Sequence, residues 1–465
     1  MKIRLISHAS VIIRCSDAVV WTDPWLTSKA FNNSWSLLPK PDFDASLLEE
    51  VGFIWLSHEH PDHLNFPTLA SLPADFKSRV TILFQKNNPE RIFEPLRKIG
   101  YRNFVVLPHR RIFRLADETS VYCFRVGTID SCLGVASGGQ VVFNANDARL
   151  NAKDCETVLK VLGKVDVVLN QFSLAVHNGF ADHNTYVKRA AVNVLESLSA
   201  NQRNLRAQVT IPFASLMYFS TTDNRFMNAY ANKPRDVVEF CEPRGQSIVV
   251  MYPGDEYEVG KHYDSSAALA KYDQLYASSG GLPYDNPPTV SLATLQESFS
   301  VLVERMRERY PGVLLKTLKP LLVEIPDLRI VAELSLSGGY LREAKSGPAP
   351  DVVICSQPLH YCLSYPWGFQ TLTISARFTV LNNAQNWRRH KALFALYSAD
   401  VYLKPRYLLL RQNRAFLFDK LKALRRYSDR SLIPAENPKP RKIRLEQAGG
   451  LATPDSTMAN NGGLS

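Results

Sequence analysis

Ser57-His58-Glu59-His60-Pro61-Asp62-His63-Leu64 follows directly on the apolar run Val51-Gly52-Phe53-Ile54-Trp55-Leu56. The run is short, β-prone and bounded by Ser57, so it reads as a buried strand. Pro61 and the helix-compatible segment from Asn65 to Leu72 then put the histidines on a strand-to-helix loop. The pattern is H-x-H-x-D-H, with three imidazoles and the Asp62 carboxylate inside six residues. A structural segment has little reason to carry so many metal-ligating groups. Alternate residues of an extended loop point the same way, so His58 and His60 can share one ion while Asp62 and His63 face a second. The rival reading, surface histidines in a polar loop, leaves that density without a cause.

The cluster resembles the signature of the metallo-β-lactamase superfamily, an αββα sandwich of metal-dependent enzymes. The resemblance implies an α/β fold and further site residues along the chain. Upstream, Ile3–Ile6, Ser10–Arg14 and Val19–Trp21 read as three short strands, the last ending in Thr22-Asp23-Pro24-Trp25-Leu26. An Asp beside Pro at a strand end can simply cap a turn. In the family an Asp at this place supports the metal-binding loop from behind, and Asp23 matches it. Ligands need such partners to fix their orientation and tautomer. Lys29-Ala30-Phe31-Asn32-Asn33-Ser34-Trp35-Ser36-Leu37-Leu38-Pro39 comes next, and looks like a loop in the metallo-β-lactamase part of CMP-N-acetylneuraminic acid hydroxylases and related bacterial proteins. The resemblance implies that it overhangs the site; the alternative is that Phe31 and Trp35 are tucked into the core.

Downstream, Val126-Gly127-Thr128-Ile129-Asp130-Ser131-Cys132 leads to a strand-like Leu133–Ala136, a Gly138-Gly139 hairpin turn, and Val141-Val142-Phe143-Asn144-Ala145-Asn146-Asp147. The family has an Asp at the second of these places, and Asp147 matches it as a bridge between both metals. At the first place His is usual, and this chain has Asp130. With Asp130 as a ligand, His58, His60 and Asp130 make a two-histidine, one-carboxylate set suited to non-haem Fe(II), whereas three histidines suit zinc. Ordinary Ser/Asp turn chemistry is the other reading of Asp130. The family's last His falls after a strand such as Val165–Leu169, where His177 is the nearer candidate and His183 the second. Either can equally be a structural surface residue, and His109, beside Arg110 and Arg111, reads as surface. Blocks at Ile211–Ser220 and Asn224–Asn228, and a terminal strand at Ser247–Tyr252, carry the likeness across residues 1–260. The Rieske iron–sulfur module of those hydroxylases, with its paired C-x-H and C-x-x-H elements, has no counterpart in this sequence.

Beyond Tyr263 the pattern changes. Ser265–Ser278 and Leu292–Tyr310 are helical by periodicity, separated by the Gly280–Pro288 loop. Strands are expected at Asp327–Leu336, Asp351–Cys355 and Gln370–Val380, and helices at Trp387–Leu396 and Leu408–Arg426. Tyr361–Trp367 reads as aromatic core or pocket wall. The resulting organisation is a metal-binding domain over 1–262, a smaller α/β domain over 263–433 with a loose likeness to sterol-carrier-protein-like folds, and a disordered Pro/Gly/Asn-rich tail over 434–465.

With 465 residues, 45% of them hydrophobic and 21% charged, the chain has material for more than one core. The N-terminus does not read as a signal peptide, because Arg4 and His8 break its apolar run. No stretch approaches the ~18–20 uninterrupted apolar residues of a membrane span. Seven scattered cysteines without C-x-x-C pairs suggest neither a disulfide framework nor a cysteine metal site, so a reducing, cytoplasmic setting is expected. The net charge of +11 is concentrated between Lys404 and Arg444, which reads as a solvated basic face and tail or as a surface for an anionic partner. A nucleic acid is not the expected partner.

These features point to two divalent ions, zinc or iron, held by His58, His60, Asp62, His63, Asp130, Asp147 and His177, with Asp23 behind them. The implied activity is hydrolysis through a metal-bound water or hydroxide, with Asp62 orienting it or accepting its proton, on a small anionic molecule such as a sugar nucleotide or glycan precursor. Oxygen activation at di-iron with an external electron donor is the alternative within enzymes. A metal-binding scaffold without catalysis is the alternative outside them.

Overall fold

The computed structural model describes residues 1–407 except 128, 346–348 and 382–383. The strand expected ahead of the histidines is Phe53–Leu56, and it lies inside a seven-stranded sheet. In order, that sheet is Glu256–Glu258, Lys2–Ser7, Ser10–Arg14, Val19–Thr22, Phe53–Leu56, Thr81–Gln85 and Asn103–Leu107. The last four strands run parallel, so their connections must cross over, and short helices at Phe66–Ser71, Ala74–Arg79 and Glu90–Lys98 do so. A second sheet has the order Val209–Phe213, Val167–Gln171, Gln140–Asn146, Asp130–Ser137, Thr119–Val126, Ile112–Arg114. Its central hairpin turns on Gly138 and Gly139, with φ of 54° and 72°, which pairs Ser137 with Gln140. Only glycine takes two successive positive φ values without strain, and such a turn matches the strands' own twist.

The two sheets bury one face each against the other. Leu5, Val11, Trp55, Leu133, Val142, Leu169 and Ile211 form this inner core. Helix residues Leu69, Phe76, Phe93 and Leu96 pack on the outer face of the first sheet beside Ile12, Trp21 and Ile54. Cys155 and Val158 of helix Ala152–Leu162 pack on the second sheet beside Phe124 and Phe143. The layers are therefore helix, sheet, sheet, helix: the αββα sandwich. Two expectations change at its far end. The terminal strand looked for at Ser247–Tyr252 is a lone bridge from Ile248 to Thr210. The strand that completes the first sheet is Glu256–Glu258, paired with Lys2–Arg4.

A smaller α/β domain follows, with its own core. Five strands in the order Tyr340–Glu343, Ile330–Ser335, Leu321–Ile325, Val352–Val353, Thr379–Val380 are covered by helices Leu292–Arg309, Ser356–Ser364 and Ala384–Ser398. The segment 370–380, expected as a strand, is mostly helical: helix Gly368–Ile374, a left-handed turn at Ala376 (φ 57°), then a two-residue strand. Its Phe and Thr content favours a strand in isolation, but Phe369 and Leu372, three apart, enter this core together on one helical face. The strand Leu321–Ile325 was not anticipated. Tyr365 and Trp367 are not core: both are exposed and stack on each other at 5.4 Å. Among the described residues no helix is long and apolar enough to cross a membrane. The helix expected at 408–426, the tail over 434–465 and most of the basic stretch lie outside the described residues.

Candidate metal centre

The loop after Phe53–Leu56 folds back on itself, the backbone N–H groups of His63 and Leu64 both donating to His60 O (3.0 and 2.7 Å). Asn65 ends it, capping helix Phe66–Ser71 through Thr68 N and donating back to Pro61 O. This turn brings His58, His60, Asp62 and His63 to one place. His58 Nε2 faces His60 Nδ1 at 2.9 Å, and the rings of His58 and His63 lie 4.2 Å apart. Asp147 Oδ2 stands 3.6 Å from His58 Nε2 and 3.6 Å from His63 Nε2, while Asp62 Oδ2 is 3.2 Å from His63 Nε2. A register shift between Asn144 and Asn146 precedes Asp147, and such bulges re-aim side chains at sheet ends.

Asp23 lies directly behind. It is fully buried, with φ of 39°, and accepts from Ser57 N (2.8 Å), Ser57 Oγ (2.7 Å), Asn146 Nδ2 (2.6 Å) and His63 Nδ1 (2.9 Å). By taking the Nδ1–H of His63 it leaves Nε2 to face Asp62 and Asp147. Burial disfavours charge on His63, but Asp62, Asp147 and Asp23 together outweigh it and hold the imidazole well above its usual range. Burial likewise opposes ionisation of Asp62, yet the charge of His63 and hydrogen bonds from His63 and His8 keep its carboxyl well below the usual range. Asp147 is also lowered, burial being outweighed by His58 and His63. His60 goes the other way: burial, then the charge of His58, lower it to about 4.

Asp130 lies at the start of its strand, close enough that Asp147's charge adds to burial in raising its carboxyl, with His60 and His63 opposing. His177 is placed elsewhere. It is buried between His183 (5.3 Å), Phe226 (5.5 Å) and Phe378 (5.9 Å), and burial lowers it to about 4. His183 stacks on Phe226 at 4.3 Å. Neither histidine is within ligand distance of the cluster in the two three-residue groups that the described residues form, His58–His63–Asp147 and His8–Asp62–His63. His109, expected at the surface, is half-buried and accepts from Arg125 N at 3.1 Å.

Three neighbours of the site were not singled out in the sequence. His8, in the turn between the first two strands, places Nε2 3.3 Å from Asp62 Oδ2. Asn146 joins Asp23 to the bulged strand. Gln370, on helix Gly368–Ile374 of the C-terminal domain, puts its amide nitrogen 2.8 Å from His60 Nε2. The 29–35 loop does overhang the site, and its aromatics are buried there: Phe31 is edge-on to His60 at 5.7 Å and Trp35 lies 6.3 Å from His8. Asn32 of this loop exchanges amide hydrogen bonds with Gln357 (3.0 and 2.9 Å), so the C-terminal domain closes over it.

The centre fits divalent ions. Asp62 Oδ1 and Asp147 Oδ1 are buried with no hydrogen bond, a costly state for polar atoms unless an ion takes them. Ligands ~2.0–2.2 Å from one tetrahedral ion lie roughly 3.3–3.6 Å apart, close to the spacings of Asp62, His63, His58 and Asp147.

Residues 2–201 match the model of a family described as a β-lactamase superfamily domain. Over 239 residues the chain is 26% identical to the cytidine monophosphate-N-acetylneuraminic acid hydroxylase of Danio rerio, an alignment covering 48% of this chain and 39% of that protein. The chain thus spans well under half the length of this curated relative. Among solved structures it is similar to CmlA, a diiron β-hydroxylase from Streptomyces venezuelae, with a TM-score of 0.41 and 16% identity over 56% of this chain and 54% of that one. It is similar as well to an isothiocyanate hydrolase from Delia radicum gut bacteria, with a TM-score of 0.43 and 16% identity over 56% of this chain and all (100%) of that one.

Proposed function

We propose that this chain is a two-metal hydrolase of the metallo-β-lactamase superfamily, on the match of residues 2–201 to a β-lactamase superfamily domain and the likeness to CMP-N-acetylneuraminic acid hydroxylases. The observation that carries the proposal is Asp147 Oδ2, 3.6 Å from both His58 Nε2 and His63 Nε2, where it would serve as a ligand beside either histidine. His58, His60 and Asp130 would serve one ion, and Asp62 and His63 the other. Two ions so held lower the pKa of a bound water and polarise a substrate oxygen.

The chain's own residues supply orientation and proton handling. Asp23 fixes the tautomer of His63. Asp62 is held ionised and would orient the attacking water or accept its proton. Phe31, Trp25 and Trp35 wall the site with apolar surface that keeps bulk water out. We read the substrate as a small anion, on a relative named for a CMP-linked sugar acid.

A second reading, oxygenation at two irons with an external electron donor, is favoured by one residue: Asp130 supplies a carboxylate where a histidine would favour zinc. Metal analysis of protein purified without added metal tests both. Two zinc ions per chain, lost together with hydrolysis in His60→Ala, support the first reading. Two irons with a near-ultraviolet band that bleaches on reduction replace it with the second. No bound ion refutes both.

A further inference from the structure

We propose that His8 is a ligand of the second ion, completing it with Asp62 and His63; the inference rests on the two-metal reading above. His8 and His63 approach the same carboxylate oxygen, Asp62 Oδ2, at 3.3 and 3.2 Å, and all three ligand atoms lie within 4.8 Å of one another. Those separations are what one tetrahedral ion requires of ligands ~2.0–2.2 Å away.

The surroundings are built to aim this ring. His8 is buried, edge-on to Trp25 at 5.3 Å and to His63 at 5.9 Å, and its backbone carbonyl accepts from Ala214 N at 2.6 Å. Neighbouring Ser7 is tied through Oγ to Trp25 O at 2.6 Å. The other ring nitrogen, Nδ1, is buried without a hydrogen bond. The assignment also answers what the second ion lacks, since His177 and His183 lie in their own aromatic pocket. The turn between the first two strands would then supply the ligand in their place.

The rival role is a hydrogen bond from His8 to Asp62 and nothing more. Metal content separates the two, measured by mass spectrometry after dialysis against a weak chelator, with circular dichroism to follow folding. His8→Ala and His8→Gln should both retain one ion where the unaltered chain retains two. Two ions in His8→Gln, whose amide can still donate to Asp62, would overturn the assignment, as would two in His8→Ala. If neither variant folds, His177→Ala decides: both ions kept supports His8, and one ion lost puts the ligand at His177. An unaltered chain with no ions instead sinks the two-metal reading itself.

Discussion

Four donors converge on Asp23, and one of them is the imidazole that faces Asp62 and Asp147. Replacing it by Ala should weaken ion binding about 10–100-fold, the usual cost of losing a partner behind a metal ligand. Chelator competition measures this, and unchanged affinity would remove Asp23 from the site. The pH dependence follows from the same residue group. Without metal, His63 keeps its proton above the ordinary imidazole value of ~6.5 because three carboxylates face it. That proton must leave before Nε2 can bind an ion, so uptake should release protons and affinity should climb as pH rises from ~6.5 towards the raised value. Calorimetry in two buffers of different ionisation heat detects the release; identical heats would contradict it. The motif histidines, Asp23 and Asp147 were legible because their spacing and strand-end positions are local properties. His8 was not: it stands alone in a short Ser-His-Ala-Ser turn with no second ligand beside it, and only the fold brings it to Asp62.

At the scale of elements, helix Gly368–Ile374 ties the C-terminal domain to the metal loop through Gln370. With His60 bound to the first ion through Nδ1, its Nε2–H would need an acceptor, which the Gln370 carboxamide oxygen would provide with the amide turned over. Gln370→Ala should therefore lower affinity for the first ion about 10–100-fold, while Gln370→Glu, which supplies a carboxylate to the imidazole, should not. Equal losses in both variants would mean that the contact is only steric. The start of the helix is tightly packed: a Cβ at Gly368 would lie 2.5 Å from Tyr361 O and 2.7 Å from Cys362 Cα. Backbone cannot swing aside as a side-chain tip can, so Gly368→Ala should cost about 1–3 kcal/mol, read as a lowered melting temperature. Sequence periodicity placed the sandwich strands well, because alternating or fully apolar runs there match the buried faces. It failed at 370–380, where β-prone residues are recruited into a helix by the core they enter and by contacts to the distant Asn32 loop.

Across the whole molecule, the sandwich brings loops from both sheets to one end, and the C-terminal domain covers part of that end. His58 to His63 come from the first sheet and Asp130 and Asp147 from the second, so the ions would cross-link the two halves of the inner core. Ion removal should then lower the stability of the entire sandwich, by about 4 kcal/mol for each ion previously present at a thousandfold its dissociation constant. A melting temperature unmoved by chelator would place the ions outside the folded framework. The fold class was readable because one motif and two matching carboxylates fixed a known architecture. The closing of the site by the C-terminal domain was not, since it depends on Gln357, Gln370 and Asn32, polar residues that no periodicity singles out. X-ray absorption on the metal-loaded chain tests the central claim most directly, because Asp147 as a shared ligand would set the distance between the ions. The account predicts a metal–metal vector of about 3.5–4 Å together with nitrogen and oxygen neighbours. A spectrum with a single ion and no metal–metal scattering would contradict it.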